Sequence, residues 1–152
     1  MESGTDLSEN VALFRVWGEK VIVAIGVHPT KLPLFDAEER KALIVEVTKH
    51  IPNVTVDSFD GLLINSCMSK GAGVIVRGLR VATDFEYELQ IAHANADLGP
   101  SVDTVFLPTR TNHGFVSASL VREIASHGGD VWRYGPKAVC DALAKKYGKK
   151  GS

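Results

Sequence analysis

Two arginines flank a glycine in the segment Arg77-Gly78-Leu79-Arg80, at the end of the apolar run GVIV. The run predicts a strand, and ligands of open α/β sheets bind just beyond the carboxyl ends of strands. Two guanidinium groups there could fork onto phosphate oxygens, while the glycine lets the backbone approach closely. A strand-ending turn with solvated arginines fits the composition about equally well.

A second cation, Lys31, follows another apolar run in the loop His28-Pro-Thr-Lys-Leu-Pro-Leu-Phe35. The prolines stiffen this loop, so Lys31 could present a point charge to a phosphate. Exposed loop lysines are common, so the position alone is weak evidence for a site. His28 by itself is more typical of a structural or solvated histidine than of a catalyst.

Small residues from Gly114 to Ser119 precede and open a predicted helix. The free amides and the dipole of a helix start favour an anion. Ser117 also fits the position of an N-cap, and capping and anion binding are compatible.

Acidic residues open another predicted helix in the segment Asp84-Phe-Glu-Tyr-Glu88. These acids could hold a ribose or orient an arginine, although a solvated charged face is the commoner arrangement. Glu88 lies eight residues beyond Arg80, so we expect the two side chains to meet across the strand-to-helix turn.

The elements that must position these residues are short β-branched runs alternating with helical patterns. Strands are predicted at 20–26, 54–56, 73–77 and 103–107, and helices at 37–50, 61–70, 84–98, 117–126 and 136–146. Capping boxes are predicted for Asp36 with Glu39 and for Thr83 with Glu86. The alternation predicts a doubly wound α/β fold with a parallel sheet. We expect one domain over residues 1–147 and a flexible tail at 148–152.

Composition narrows the class of protein further. A formal net charge of −1 gives no global attraction to nucleic acid or to anionic membranes. Cys67 and Cys140 lie far apart without metal-ligand spacing, so we expect reduced, packed thiols and no protein metal site. No apolar run approaches the roughly 20 residues of a membrane span, and no signal peptide is recognisable. These features predict a cytoplasmic protein.

Five blocks in order, KVIVAIGVHPTKLPLF, VIVRGLR, DFEYELQIAHAN, TVFLPT and SLVREIASHGGDV, resemble the bacterial phosphopantetheine adenylyltransferases, which are Rossmann-like nucleotidyltransferases. The resemblance runs from about Lys20 to Lys146. It implies transfer of the adenylyl group of ATP to 4′-phosphopantetheine by direct in-line attack, giving dephospho-coenzyme A and pyrophosphate. It also implies Mg²⁺ held mainly by phosphates and water, coenzyme A as a further ligand, and a homo-oligomer, typically a hexamer.

The resemblance also assigns roles to individual residues. Lys31 and Arg77 would hold the acceptor phosphate, Leu63, Ile91 and Asn95 would line the pantetheine arm, and Thr5 would match a substrate-binding threonine. Lys31 and Arg80 are candidate charge stabilisers. The residues implied for ATP are Gly78, Leu79, Arg80, Glu88, His113, Gly114, Phe115, Val116, Ser117, Ala118 and Ser119.

The sequence departs from this family at its beginning. Members start with a strand, a Gly-Thr-Phe-Asp-Pro turn and a Thr/His-x-Gly-His motif, whose final histidine stabilises the reacting phosphate. No histidine of this sequence follows a glycine, and only Gly4-Thr5-Asp6 is similar to the turn. We therefore expect no catalytic histidine and a parallel sheet without its usual first central strand. Two strand edges would then be unpaired, unless the sheet rearranges or borrows pairing from another subunit.

Three functions fit these observations. The first is an active adenylyltransferase, with His28 or His113 as the first candidates to replace the missing histidine. The second is a catalytically impaired relative that only binds phosphopantetheine, ATP or coenzyme A. The third is a nucleotidyltransferase with another acceptor, which the KLPLF and RGLR blocks make the least favoured.

Overall fold

The fold is that of a computed structural model, which describes residues 20–30, 32–109 and 114–148. Its strands are β1 (Val21–Gly26), β2 (Val54–Phe59), β3 (Val74–Leu79) and β4 (Asp103–Pro108). Its helices are α1 (Ala37–Thr48), α2 (Leu63–Ser69), α3 (Ala82–Leu98), α4 (Ala118–Ser126) and α5 (Lys137–Tyr147). Every strand and helix predicted from the sequence within these ranges is present, so the mixed α/β class is confirmed.

All strand pairing in the described part of the chain is parallel. Strand β1 pairs with β2 in the register Val21 to Val54, and β3 pairs with β4 in the register Val74 to Asp103. These pairs form two separate two-stranded sheets. We refer to β1 with β2 as the first strand pair and to β3 with β4 as the second.

In each strand pair, the first strand has one edge that faces its partner and one that faces away from it. The amide of Val21 donates to the carbonyl of Asn53, so the alternation of the ladder turns Ile22, Ala24 and Gly26 to the opposite edge of β1. On β3 the carbonyl of Gly73 accepts from Asp103, which turns Val74, Val76 and Gly78 to the other edge. No strand from the described ranges pairs with either edge. The expectation of a sheet without its usual first central strand concerns residues 1–19, which lie outside the described residues, and it stays a prediction.

The interior consists of three apolar clusters. Val23, Ile25 and Ile44 bury α1 against the first strand pair. The second strand pair shares a cluster with α2, formed by Ile64, Cys67, Ile75 and Val102. The third cluster joins α4 and α5 and receives Leu34 and Phe35 from the loop after β1; its buried members are Ala125, Val131, Cys140 and Leu143. Both thiols are free and buried, as predicted.

Helix starts agree with the sequence at one predicted capping box and disagree at the other. Asp36 and Glu39 cap α1 reciprocally, at 2.8 and 2.9 Å. The box predicted for Thr83 with Glu86 is wrong, because α3 already begins at Ala82, with Val81 as its N-cap residue. There the carboxylate of Asp84 accepts from the amides of Arg80 and Val81, both at 3.3 Å. The earlier start shortens the turn between β3 and α3.

None of the helices in the described ranges combines the length and the hydrophobicity needed to cross a bilayer. The single-domain boundary at 147 stays a prediction.

Candidate phosphate-binding site

Arg77, in the second half of β3, is held by a buried acid on α3. Glu88 accepts from Nε of Arg77 at 2.8 Å and from Nη2 at 2.7 Å, one carboxylate oxygen for each donor. The Glu88 side chain is 8% exposed and that of Arg77 is 36% exposed. A guanidinium has five N–H donors, so this paired contact leaves three of them for another acceptor.

The second arginine of the segment ties β3 to the start of α4. Nη1 of Arg80 donates to the carbonyl of Val116 at 3.2 Å, and its Nε lies 3.6 Å from the carboxylate of Asp84. Two segments that the sequence analysis treated separately, Arg77–Arg80 and Gly114–Ser119, therefore meet in the fold. The sequence analysis expected Arg80 to meet Glu88. In the structure it is Arg77 that donates to both carboxylate oxygens of Glu88.

The start of α4 has the geometry predicted for it. Oγ of Ser117 accepts from the amide of Leu120 at 3.1 Å, which confirms the N-cap. The cap satisfies one amide of the first turn, and those of Ala118 and Ser119 precede it in the same turn, where amides lack partners within the helix. Val116 is buried and Phe115 is exposed, with its ring edge-to-face to Tyr134.

Of the residues implied for the pantetheine arm, Ile91 and Asn95 lie on α3, and Leu63 is the first residue of α2. Glu88, Ile91 and Asn95 share one helix face by their spacing, and Glu88 and Asn95 are buried. The end of α3 at Gly99 packs against Ile64, whose neighbour Leu63 belongs to the same cluster. One face of α3 thus carries the partner of Arg77 and two of the arm residues.

The loop after β1 is fixed from both sides of Lys31, which itself lies outside the described residues. Before it, Nδ1 of His28 lies 3.0 Å from Oγ1 of Thr30, and Arg40 donates to the carbonyl of Gly26 at 3.2 Å. After it, the apolar residues Leu34 and Phe35 pack into the cluster of α4 and α5. Thr5 and His113 also lie outside the described residues, so their predicted roles stay predictions.

No group of three or more histidine, cysteine, aspartate or glutamate side chains within 20–30, 32–109 and 114–148 is placed to hold a metal. The acids beside the arginines, Asp84 and Glu88, are already engaged by Arg80 and Arg77. A hard divalent cation at this site would therefore take its oxygens mainly from ligand phosphates and water. Burial raises the pKa of the Cys67 and Cys140 thiols, which are accordingly not activated.

Sequence reasoning missed three contacts that shape the site: Arg77 with Glu88, Arg80 with the Val116 carbonyl, and Arg40 with the Gly26 carbonyl. The buried position of Glu88 on the inner face of α3 is the one signal that periodicity could have given. The other two contacts join distant or backbone groups and leave no mark in local spacing.

Paired arginines at a strand end, a capped helix start and parallel strands are typical of α/β proteins that bind phosphate groups. A profile of the cytidylyltransferase-like family matches residues 12–124. The phosphopantetheine adenylyltransferase of Caldanaerobacter subterraneus subsp. tengcongensis is 48% identical over 131 residues, covering 86% of this chain and 82% of the relative. That of Heliobacterium modesticaldum is 50% identical over 129 residues, covering 85% and 77%. The chain therefore belongs to the phosphopantetheine adenylyltransferase family of nucleotidyltransferases.

Proposed function

We propose that this chain transfers the adenylyl group of ATP to 4′-phosphopantetheine. A phosphate oxygen of the acceptor attacks the α-phosphorus of ATP, and a new P–O bond forms between them. The bond from the α-phosphorus to the oxygen bridging to the β-phosphorus breaks. The electron pair leaves with pyrophosphate, and dephospho-coenzyme A remains.

The observation that carries this proposal is the hydrogen bond from Arg80 to the carbonyl of Val116. It joins the arginine-bearing segment at the end of β3 to the segment that opens α4. It supports a single anion-binding site in which Arg77 faces the acceptor phosphate. Arg80, the backbone at Gly78 and Leu79, and the start of α4 face ATP. Such a site lowers the barrier by positioning two anions and by stabilising developing charge on phosphate oxygens.

Further parts of the proposal follow from family membership. We assign Lys31 and Thr5 to the acceptor, Leu63, Ile91 and Asn95 to its arm, and His113 to the triphosphate. Mg²⁺ would balance the phosphate charge when bound. A cytoplasmic homo-oligomer of one-domain chains completes the proposal, and light scattering on the purified chain measures the oligomer size.

Pyrophosphate release tests the activity. The purified chain is supplied with ATP, Mg²⁺ and 4′-phosphopantetheine beside the Heliobacterium relative, and dephospho-coenzyme A is quantified in the same samples. Stoichiometric formation of both products supports the transfer. Release of pyrophosphate with pantetheine, which lacks the phosphate, would instead indicate hydrolysis or another acceptor.

A second candidate is a protein that binds these ligands without turnover. The observation in its favour is that none of the five histidines follows a glycine, so the family's charge-stabilising histidine motif is absent from this sequence. Removal of one such group lowers rates by about 10² to 10³. Calorimetric binding of ATP and phosphopantetheine on a sample that releases no pyrophosphate would favour this candidate.

A further inference from the structure

The peptide bond at the end of β1 is held from both sides. The amide of Val27 donates to the carbonyl of Phe59 on β2 at 2.8 Å. The carbonyl of Gly26, in the same peptide unit, accepts from Nη2 of Arg40 on α1 at 3.2 Å. We propose that Arg40 is a positioning residue, which fixes the direction of the loop after β1 for binding of the acceptor phosphate. The role rests on the proposed function, because that function assigns Lys31 of this loop to the acceptor.

Strand pairing does not supply the contact that Arg40 makes. Gly26 is the last residue of β1, and its carbonyl faces the edge of the strand that turns away from β2. No strand of the described ranges pairs with that edge. Glycine also has more backbone freedom than any other residue, so Gly26 does not fix the direction of the chain by itself. Without Arg40, one of the two described restraints on this peptide bond would be lost.

Arg40 reaches the strand from a helix start that is itself anchored. The capping box of Asp36 and Glu39 closes the first turn of α1, and the amide of Arg40 donates to the carbonyl of Asp36 at 3.0 Å. The carboxylate of Glu39 also contacts Lys146 of α5 at 2.7 Å. The guanidinium therefore extends from a backbone of fixed position, which a residue that orients another segment requires.

The stability of the fold does not account for an arginine at this position. Nε of Arg40 is buried and has no hydrogen-bond partner in the described part of the chain. An unsatisfied buried donor lowers stability. Gly26 is exposed, so water can take the place of the guanidinium on its carbonyl. An apolar side chain of similar volume in place of Arg40 should therefore leave the fold at least as stable.

A supporting role and a positioning role predict different results for an Arg40→Met variant. An arginine that only supports the fold would, when replaced, cause a loss of stability and of affinity for every ligand of the site. Replacement of a positioning residue for the loop after β1 lowers the affinity for the acceptor and spares both stability and ATP binding.

The test measures the affinities for 4′-phosphopantetheine and for ATP with Mg²⁺ by calorimetry on the full chain, beside urea unfolding. In R40M we expect the affinity for phosphopantetheine to fall about three- to tenfold, the scale of one hydrogen bond. The affinity for ATP should stay within about twofold. The urea midpoint of unfolding should not fall.

Two further variants should restore binding of the acceptor. Arg40→Lys keeps an N–H donor on a side chain one bond shorter and should retain most of the affinity for phosphopantetheine. Gly26→Ala, added to R40M, narrows the backbone freedom of that residue and should recover part of the affinity. The alanine fits, because Gly26 has no positive φ and its Cβ would lie 3.4 Å from the ring of Phe59, an ordinary contact. Recovery through the backbone is a result that loss of charge alone does not produce.

Controls separate the loop from charge and from folding. Lys41→Met removes a positive charge from the adjacent position of α1 and should leave both affinities unchanged. In a Lys31→Met background, adding R40M should weaken phosphopantetheine binding by less than in the wild type, because the arginine acts through the loop that carries Lys31. Should R40M fail to fold in a thermal melt, Arg40→Gln, which stays polar but is two bonds shorter, is measured in its place.

Several outcomes would overturn the inference. Equal losses of affinity for phosphopantetheine and ATP, together with a lower urea midpoint, would make Arg40 a structural residue. Unchanged phosphopantetheine binding by R40M would leave it without a positioning role, as would a failure of both Arg40→Lys and Gly26→Ala to restore binding. If the wild-type chain binds neither ligand, it is the proposed function that fails.

Discussion

The two strand pairs are both parallel and their strands are equally long, but they differ in the residues at their carboxyl ends. The carboxyl end of the second pair carries Arg77, within β3, and Arg80, directly after it, each beside an acid of α3. Beyond the first pair the described contacts fix backbone, with Arg40 on the carbonyl of Gly26. The second pair therefore supplies oriented cations, whereas the first supplies a loop whose described residues, on either side of Lys31, are held by contacts with α1, α4 and α5.

The two ends are also anchored differently. The arginines of the second pair depend on α3, the helix that directly follows β3 in the chain. The loop of the first pair depends on α5, more than a hundred residues away, through Phe35 and the contact of Glu39 with Lys146 at 2.7 Å. Damage to the second strand pair should therefore affect phosphate binding directly, whereas damage to the far helices should act on the first loop.

The largest effect is expected from emptying the core of the second strand pair. Ile64 is fully buried against Cys67, Ile75 and Val102, so Ile64→Ala should destabilise the protein by about 3 kcal/mol. Urea unfolding measures the loss, and amide exchange should place it in β3, β4 and α2. Val45→Ala, at an exposed position of α1, is the control and should change stability by less than about 0.5 kcal/mol. Equal loss of protection in β1 and β2 would contradict the division into two regions.

A smaller effect on the same region should follow from adding one methyl group. A Cβ at Gly99 would stand 2.6 Å from Cγ1 of Ile64, so Gly99→Ala should destabilise by about 1–3 kcal/mol. Combined with Ile64→Ala, the substitution should have less than its additive effect, since the new methyl group enters the vacated space. Gly73→Ala meets no atom within 4 Å and should be nearly neutral. Strict additivity of the first two substitutions would disprove the clash.

On the side of the first strand pair, the start of α1 should respond more mildly. Asp36→Ala removes the acceptor for the amide of Glu39 and should lower the free energy of unfolding by about 1 kcal/mol. Asp36→Asn keeps a side-chain acceptor and should recover most of the loss in the same urea experiment. The substitution should not alter the contribution of Arg77 to phosphopantetheine affinity, because Arg77 is held by α3 and not by α1.

The smallest effect concerns the ion pair between Asp57 of β2 and Lys70 at the end of α2, which bridges the two regions. The hydrogen bond from Lys70, and next the amide of Ser58, lowers the pKa of Asp57. Since the folded pKa lies below the unfolded one, the contribution is present above the ordinary aspartate pKa and disappears as the pH falls through the folded value. As the pH is lowered, the urea midpoint of unfolding should therefore fall slightly less in Lys70→Met than in the wild type. Added salt should mask the difference. An identical pH profile in both proteins would contradict the coupling.

Much of this fold follows from local patterns, because apolar runs and helical spacing located the strands and helices to within a few residues. The contacts of the site were harder to predict from the sequence, because the partner of Glu88 depends on where β3 ends and α3 begins. The strand continues through Leu79 and the helix starts at Ala82, so the acid lies opposite Arg77 and not Arg80. The contact of Lys146 with Glu39 spans the chain and has no local signal. Thr5, Lys31 and His113 stay predictions.

The two buried thiols have a practical consequence for studying these regions separately. Cys67 lies in the cluster of the second strand pair, and Cys140 lies in the cluster of α4 and α5 that receives the loop after β1. Because both side chains are enclosed and the pKa of each thiol is raised by burial, an alkylating reagent reaches them only during local opening. The labelling rate of each thiol therefore reports how often its own region opens. The unmodified chain thus carries one reporter of local opening in each of the two regions.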